Sequence, residues 1–232
     1  MRKFIILFVF VSCCFFYKCD SKVEPNFRAE INGNTNVIKV DTSLIEVADL
    51  PVRFDSISFL IHPIGYFKKD SREKYSFLKS SDNSTYNDVS NFYNDVISGQ
   101  MSNLLFQNFN SEELIKLTEK NITIQKVIFL RDLFNSTKNE VFVYEIIDTD
   151  TNKDNKLDYL DGYSLFISNS DGSNFRKISK LNHQLLTYKF MKSNNNLYFK
   201  TIETKEESVF FHYYHISLSD NKNLVKEYFP IK

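Results

Sequence analysis

The sequence predicts an all-β fold of about three antiparallel units, each with four strands, and one short helix in a long insertion. Short apolar runs recur along the chain, and clusters of Asn, Asp, Ser and Lys separate them. The chain has 23 Phe and 13 Tyr, and aromatic side chains favour strands. It has only 5 Gly and 4 Pro, so turns must use Asn and Asp, which tolerate left-handed backbone conformations.

The N-terminal segment has the organisation of an export signal. Met1–Lys3 is basic, Phe4–Tyr17 is apolar, and polar sequence follows. The apolar run is too short to cross a bilayer core of about 30 Å comfortably as a helix. We therefore predict a signal peptide over residues 1–18 and export of the chain to the cell envelope.

All 3 cysteines lie in or next to this signal, which excludes a disulfide framework for the rest of the chain. A cysteine at the end of such a signal resembles the lipidation site of bacterial lipoproteins. Cys19 stands where apolar sequence turns polar, although Lys18 departs from the usual motif. Cys13 has a better local match but leaves a very short signal. We predict an acylated (palmitate) Cys19, with Cys13 as the alternative, and a stable outer-membrane anchor of two or three chains.

After the anchor, residues 19–50 predict a polar tether and residues 51–232 a β domain with units over about 52–120, 122–182 and 183–231. The second unit has the clearest pattern, with apolar runs at Ile122–Leu130, Glu140–Ile147, Ser164–Ser168 and Phe175–Ile178. The third unit repeats it at Gln184–Phe190, Leu197–Ile202, Val209–Leu218 and Leu224–Phe229.

The insertion is predicted over residues 68–100. Val89, Phe92, Tyr93 and Val96 fall at i, i+3, i+4 and i+7, which is one face of a helix over Tyr86–Ile97. This helix would cap the open end of the β domain or, alternatively, bind a partner.

The segment Leu165–Ile178 combines an apolar strand, a turn at Asp171–Gly172 and a second short strand. It resembles the repeat of TolB-like β-propellers, and Leu114–Thr118 resembles the end of that repeat. The resemblance implies four-stranded blades, but three units are fewer than the usual minimum of four blades. We expect a partial propeller or a β-sandwich. The whole chain, including its Phe129–Phe134 run, also resembles flavobacterial-type lipoproteins, a resemblance that implies no activity.

The segment Asp150–Asp161 has the ligand spacing of an EF-hand-type calcium loop. Asn155 replaces the usual Gly at position 6, and Asp161 replaces Glu at position 12, as in dockerin-like loops. No helix pair flanks the loop, so we expect structural Ca²⁺; the alternative is an acidic loop that binds no metal tightly. The predicted ligands, at positions 1, 3, 5, 7, 9 and 12, are Asp150, Asn152, Asp154, the backbone carbonyl of Lys156, Asp158 and Asp161.

No other sequence motif predicts a site. The histidines at 62, 183, 212 and 215 have no convincing metal-ligand spacing, and His212 and His215, three apart in a strand, point to opposite faces. The aromatic run Phe210–Tyr214 predicts core packing on both faces, with a sugar-stacking platform as the alternative. Motifs of hydrolases, nucleotide-binding proteins and zinc proteases are missing from the sequence.

These features predict a non-enzymatic envelope lipoprotein that binds or scaffolds an unknown protein or glycan partner. A net charge of zero gives no reason to expect nucleic acid. The alternative is an accessory protein that binds or hydrolyses glycans, and hydrolysis would require two carboxylates about 5–9 Å apart in a cleft. The sequence leaves open whether the protein faces the periplasm or the cell surface.

Overall fold

A computed structural model describes residues 29–31, 38–40, 44–68, 89–206, 208–219 and 224–231. In these ranges all strand pairing is antiparallel and there is one short α-helix, which confirms the predicted all-β class. The predicted signal peptide, Cys13 and Cys19 lie outside the described residues, as does most of the predicted tether.

The described elements number sixteen strands and one helix. The strands are β1 (Ala29–Ile31), β2 (Ile38–Val40), β3 (Leu44–Ala48), β4 (Val52–Arg53), β5 (Phe59–Lys68), β6 (Ser90–Tyr93), β7 (Val96–Asn108), β8 (Leu114–Lys116), β9 (Thr123–Phe129), β10 (Val141–Ile147), β11 (Ser164–Asn169), β12 (Arg176–Lys177), β13 (Gln184–Met191), β14 (Asn196–Lys205), β15 (Ser208–Ser217) and β16 (Val225–Tyr228). The helix α1 (Arg131–Thr137) lies between β9 and β10.

Strand β7 organises the larger sheet. Its first half pairs with β6 and β9, and its second half pairs with β5 and β8. The main path of this ten-stranded sheet runs β12-β11-β10-β9-β7-β5-β3. The predicted units 52–120 and 122–182 therefore share one continuous sheet and are not separate four-stranded units. The strands predicted in residues 183–231 form a separate meander, β13-β14-β15-β16.

Strands β10 and β11 separate two hydrophobic cores, because alternate side chains of a strand point to opposite faces. From β10, Phe142 and Tyr144 enter a first core that includes Phe54 and Met101. Between them in sequence, Val143 enters a second core. That second core also receives residues of the four-stranded sheet, namely Leu197, Phe199, Tyr214 and Ile216. The burial of both faces explains why the β10 sequence is almost continuously apolar.

The helix predicted over Tyr86–Ile97 is wrong in its position. Ser90–Tyr93 forms β6, which pairs with the start of β7 in a hairpin. Asn94 and Asp95 form the turn, with φ values of 48° and 63°. Positive φ at both central residues is the geometry of the two-residue turns that hairpins favour, and Asn and Asp adopt it readily. The helical spacing of apolar residues was coincidental.

The observed helix α1 follows β9 directly and contributes Leu133, which is fully buried, to the second core. Lys138 ends it with φ 64°, and its backbone N–H donates to the carbonyl of Phe134.

Candidate functional site

The acidic loop Asp150–Asp161 connects β10 to β11, the two strands between the cores. Its apolar residue Leu157 is buried, with 6% exposure, as expected of an anchor. The hydroxyl of Thr123 donates to the carbonyl of Leu157 at 3.2 Å, which attaches the loop to β9. The loop is therefore joined to the sheet at its centre as well as at its ends.

Two carboxylates hold the loop backbone in place. Oδ1 of Asp150 accepts from the N–H of Lys153 at 2.6 Å, and Oδ2 accepts from the N–H of Asn155 at 2.8 Å. Oδ1 of Asp161 accepts from the N–H of Thr151 at 2.7 Å, which brings the two ends of the loop together. Asp161 is 4% exposed, so the carboxylate that accepts this hydrogen bond is buried.

The loop agrees with one further expectation from its sequence. Asn155, at the position that Gly occupies in EF-hand loops, has φ 63°. The other predicted ligands make contacts within the loop: Asn152 Oδ1 accepts from the N–H of Asp154 at 2.9 Å, and Asp154 pairs with Lys156 Nζ at 3.5 Å. Asp158 Oδ1 accepts from the N–H of Leu160 at 2.9 Å.

A second cluster lies on the four-stranded sheet, and the sequence did not predict it. His183 immediately precedes β13, Glu203 lies in β14 and His212 lies in β15. Thr201 is paired with His212, and alternation places Glu203 on the same face. Each of these three residues has one possible metal-ligand atom within 4.8 Å of those of the other two. In the described part of the chain, no other group of three or more His, Cys, Asp or Glu residues meets this condition.

The two imidazole rings lie close together, with centroids 4.4 Å apart. The Nε2 atoms of His183 and His212 lie 3.7 and 3.3 Å from the same oxygen, Oε2 of Glu203. The opposite ring nitrogens have other partners: Nδ1 of His183 lies 3.0 Å from Thr201 Oγ1, and Nδ1 of His212 lies 2.7 Å from Glu227 Oε1.

The charges around the cluster are balanced by two lysines. Lys205 Nζ lies 3.0 Å from Glu203 Oε1, and this hydrogen bond lowers the pKa of Glu203. The hydrogen bond from His212 lowers the pKa of Glu227, which also pairs with Lys180. Burial, aided by the proximity of His212, lowers the pKa of His183 and favours its neutral form.

The cluster was missed because its residues are far apart in sequence and meet only through strand register. The histidine prediction was correct in one respect. His215 lies on the opposite face from His212, where its ring stacks with that of Tyr198 at a centroid distance of 5.5 Å. Alignment of β14 with β15 about their hairpin, which the Lys205–Ser208 pair closes, places Thr201 opposite His212, and this was the available signal for that part of the cluster.

The aromatic run of β15 differs from its predicted core packing. Tyr214 is buried, but Phe210 and Phe211 are 47% and 53% exposed. They lie near the hairpin end of β15, beyond the part of the face that the second core covers. The prediction of core packing on both faces is therefore wrong for these two residues.

A groove of 380 Å³ lies where the two large sheets approach each other. Lys126, Glu145 and Tyr163 line one side, and Leu185–Tyr188 line the other. Glu145 is its one carboxylate, and Lys126 Nζ lies 2.8 Å from it. The lining side chains present hydrogen-bonding groups and tyrosine rings to the groove.

None of the helices among the described residues is long and apolar enough to cross a membrane. Within the described ranges, the candidate sites are the acidic loop, the histidine–glutamate cluster and the groove. Comparisons with protein-family models, with curated proteins and with solved structures found no match to this chain.

Proposed function

We propose that the protein is an exported envelope lipoprotein, acylated at Cys19, that binds or scaffolds another envelope component and is stiffened by Ca²⁺ in the Asp150–Asp161 loop. The observation that carries this proposal is the place of the loop. It connects β10 and β11, the strands that contribute to both hydrophobic cores. A metal bound there would rigidify the centre of the molecule.

The conformation of the loop supports calcium. Its oxygen-bearing side chains follow the spacing of a calcium loop, and Asn155 has the positive φ that the position requires. Two carboxylates, Asp150 and Asp161, already order the backbone that would present the carbonyl of Lys156. Lys153 and Lys156 partly offset the acidic charge, so the affinity should be modest.

Calorimetry and thermal unfolding test this proposal on the full chain. We expect heat on addition of Ca²⁺, and a melting temperature that rises with Ca²⁺ and falls with EGTA. Asp150→Asn should abolish both effects. Asp171→Asn changes a carboxylate in a turn outside the loop and is the matched control. An absence of heat at millimolar Ca²⁺, or an unchanged melting temperature in EGTA, would exclude the metal.

The lipid anchor has an independent test. Metabolic labelling with a palmitate analogue should label the wild type and Cys13→Ser, and should fail to label Cys19→Ser. Label retained in Cys19→Ser and lost in Cys13→Ser would move the anchor to the alternative cysteine. Affinity capture from detergent-solubilised envelope would then identify the partner, with Cys19→Ser showing whether capture needs the anchor.

The second candidate function is glycan binding, favoured by the groove. Tyr163 and Tyr188 offer aromatic surface, and Glu145 offers a hydrogen-bond acceptor. A single carboxylate in the groove supports binding in preference to hydrolysis, which uses two. Titration with envelope glycan fragments should show binding that Tyr163→Ala weakens, whereas Tyr159→Ala, which alters an exposed tyrosine outside the groove, should not.

A further inference from the structure

The histidine–glutamate cluster has the internal arrangement of a metal site. Each imidazole uses one nitrogen for a neighbouring oxygen, Thr201 Oγ1 for His183 and Glu227 Oε1 for His212. Metal-binding histidines are held in this way, because a partner at one nitrogen fixes the ring and the tautomer and leaves the other nitrogen free for the metal. Here the second nitrogen of each ring is Nε2, and both Nε2 atoms face Glu203 Oε2.

The two nitrogen–oxygen distances in the cluster are close to those around a tetrahedral ion. Zinc lies about 2.0–2.1 Å from imidazole nitrogen and about 2.0–2.2 Å from carboxylate oxygen, so neighbouring ligand atoms are separated by about 3.3–3.5 Å. The Nε2 atoms of His212 and His183 lie 3.3 and 3.7 Å from Glu203 Oε2. All three ligand atoms fall within 4.8 Å of one another. Small side-chain rotations would bring them to one ion.

We propose that His183, Glu203 and His212 form a Zn²⁺-type transition-metal site on the four-stranded sheet. Two imidazoles and one carboxylate suit zinc and neighbouring divalent ions, whereas Ca²⁺ prefers oxygen ligands alone. Three protein ligands leave one coordination position for water or for a group of a partner molecule. This site is separate from the acidic loop and goes beyond the function proposed above.

The surrounding charges orient the ligands. Lys205 holds Oε1 of Glu203 at 3.0 Å, so Oε2 is the oxygen that faces the two rings. Lys180 holds Oε2 of Glu227 at 3.1 Å, which leaves Oε1 to position the His212 ring. Glu227 is therefore a positioning residue. The alternative needs no metal. In it, a protonated His212 donates one hydrogen bond to Glu203 and one to Glu227.

The test is equilibrium dialysis of the full chain, purified without a histidine tag, against Zn²⁺ in the presence of millimolar Ca²⁺ to occupy the acidic loop. Cobalt titration adds a spectroscopic readout, because Co²⁺ bound by four ligands absorbs visible light strongly. The variants are His212→Gln and the nearly isosteric Glu203→Gln. The matched control is His215→Gln, which alters a histidine three residues away on the opposite face of the same strand. Circular dichroism checks that each variant is folded.

We expect one Zn²⁺ per wild-type chain, an intense visible Co²⁺ spectrum, and affinity reduced at least about tenfold in His212→Gln and Glu203→Gln. His215→Gln should bind like the wild type, and Glu227→Gln should show a smaller loss. Equal losses in His215→Gln and His212→Gln would overturn the proposal. Wild-type binding no tighter than that of the double variant His212→Gln/Glu203→Gln would also overturn it, in favour of the shared imidazolium.

Discussion

The hydroxyl of Tyr188 donates a 2.8 Å hydrogen bond to Oε1 of Glu145, and this bond joins the two large sheets. Tyr188 lies in β13 of the meander, and Glu145 lies in β10 of the ten-stranded sheet. Lys126 Nζ lies 2.8 Å from the same oxygen, so Oε1 of Glu145 accepts hydrogen bonds from both side chains. The contact forms a wall of the groove and thereby couples groove shape to sheet packing.

Replacement of Tyr188 by Phe should therefore weaken the junction between the sheets. A hydrogen bond to a charged acceptor contributes about 1.5–3 kcal/mol, and partial exposure reduces this, so we expect the free energy of unfolding to fall by about 1–2 kcal/mol. Urea denaturation measures it. Tyr198→Phe removes an exposed hydrogen bond with Asn194 and should change stability by less than about 0.5 kcal/mol. Equal effects in the two variants would contradict the assigned role of Tyr188.

Asp161 should determine the stability of the acidic loop even without calcium. Its Oδ1 accepts from the N–H of Thr151 and its Oδ2 from the N–H of Asp158. The substitution Asp161→Asn places an NH₂ group against one of those two N–H donors and so leaves buried polar groups without a partner. We expect it to lower the free energy of unfolding by about 2–3 kcal/mol. Urea denaturation in EGTA isolates this effect from metal binding.

The control for this variant is Asp171→Asn, because the amide oxygen of Asn can still accept the hydrogen bond from the N–H of Ser173. We expect its stability to stay within about 0.5 kcal/mol of the wild type. If Asp161→Asn were equally mild in EGTA, the carboxylate would matter only as a metal ligand.

The strands could be predicted from the sequence because burial determines which positions of a strand are apolar. β10 is apolar at nearly every position, and the centre of β11 (Leu165–Ile167) is apolar throughout, because both faces of these strands are buried. These are local consequences of environment, so a short window of residues contains them. The helix predicted over Tyr86–Ile97 was wrong because four apolar residues at helical spacing can also occur in strands. Here the turn at Asn94–Asp95 produces a hairpin.

The histidine–glutamate cluster depends on how distant strands pair, which a short window of sequence does not contain. His183 and His212 are brought together by the pairing of β13 with β14 and of β14 with β15, and each pairing has its own register. The β13–β14 register shifts between Leu185 and Thr187, so a simple count of residues from the turn misplaces His183. A site assembled by register across three strands leaves no motif, and only the three-dimensional arrangement reveals it.

Arg131 should stabilise the hairpin that replaced the predicted helix. Its Nε donates to Oδ2 of Asp95 at 2.9 Å and its Nη2 donates to Oδ1, a two-point contact between α1 and the β6–β7 turn. This hydrogen bond with Asp95 raises the pKa of Arg131. Its guanidinium also lies over the ring of Phe129, 4.7 Å from the centroid. Lysine cannot reproduce the planar fork, so Arg131→Lys should cost about 1 kcal/mol.

A double-mutant cycle with Asp95→Asn measures the coupling between the two side chains. Because both are about one-quarter exposed, we expect a coupling of about 0.5–1 kcal/mol that decreases with added salt. Additive effects of Arg131→Lys and Asp95→Asn would mean that the other contacts of Arg131, with the ring of Phe129 and the carbonyl of Asp55, account for the loss.

Tyrosine burial should make the protein sensitive to alkaline pH. Tyr144 is fully buried and shares a 2.6 Å hydrogen bond with Ser168, and burial raises the pKa of its phenol far above the usual value. Burial, followed by the charge of Glu145, raises the pKa of Tyr188 in the same direction. Both groups have a higher pKa in the folded chain than in the unfolded chain. Their contribution to stability is thus complete below a pH of about 10 and is lost as the pH rises further.

In an alkaline titration, the tyrosinate absorbance should rise in two stages, first for exposed tyrosines and then in a step that coincides with loss of the β circular dichroism signal. Tyr144→Phe should cost about 1 kcal/mol at neutral pH, because the hydrogen bond with Ser168 is lost. That difference from the wild type should shrink above a pH of about 10, because Phe has no proton to lose. Complete ionisation of the wild type with its circular dichroism intact would contradict the burial of these hydroxyls.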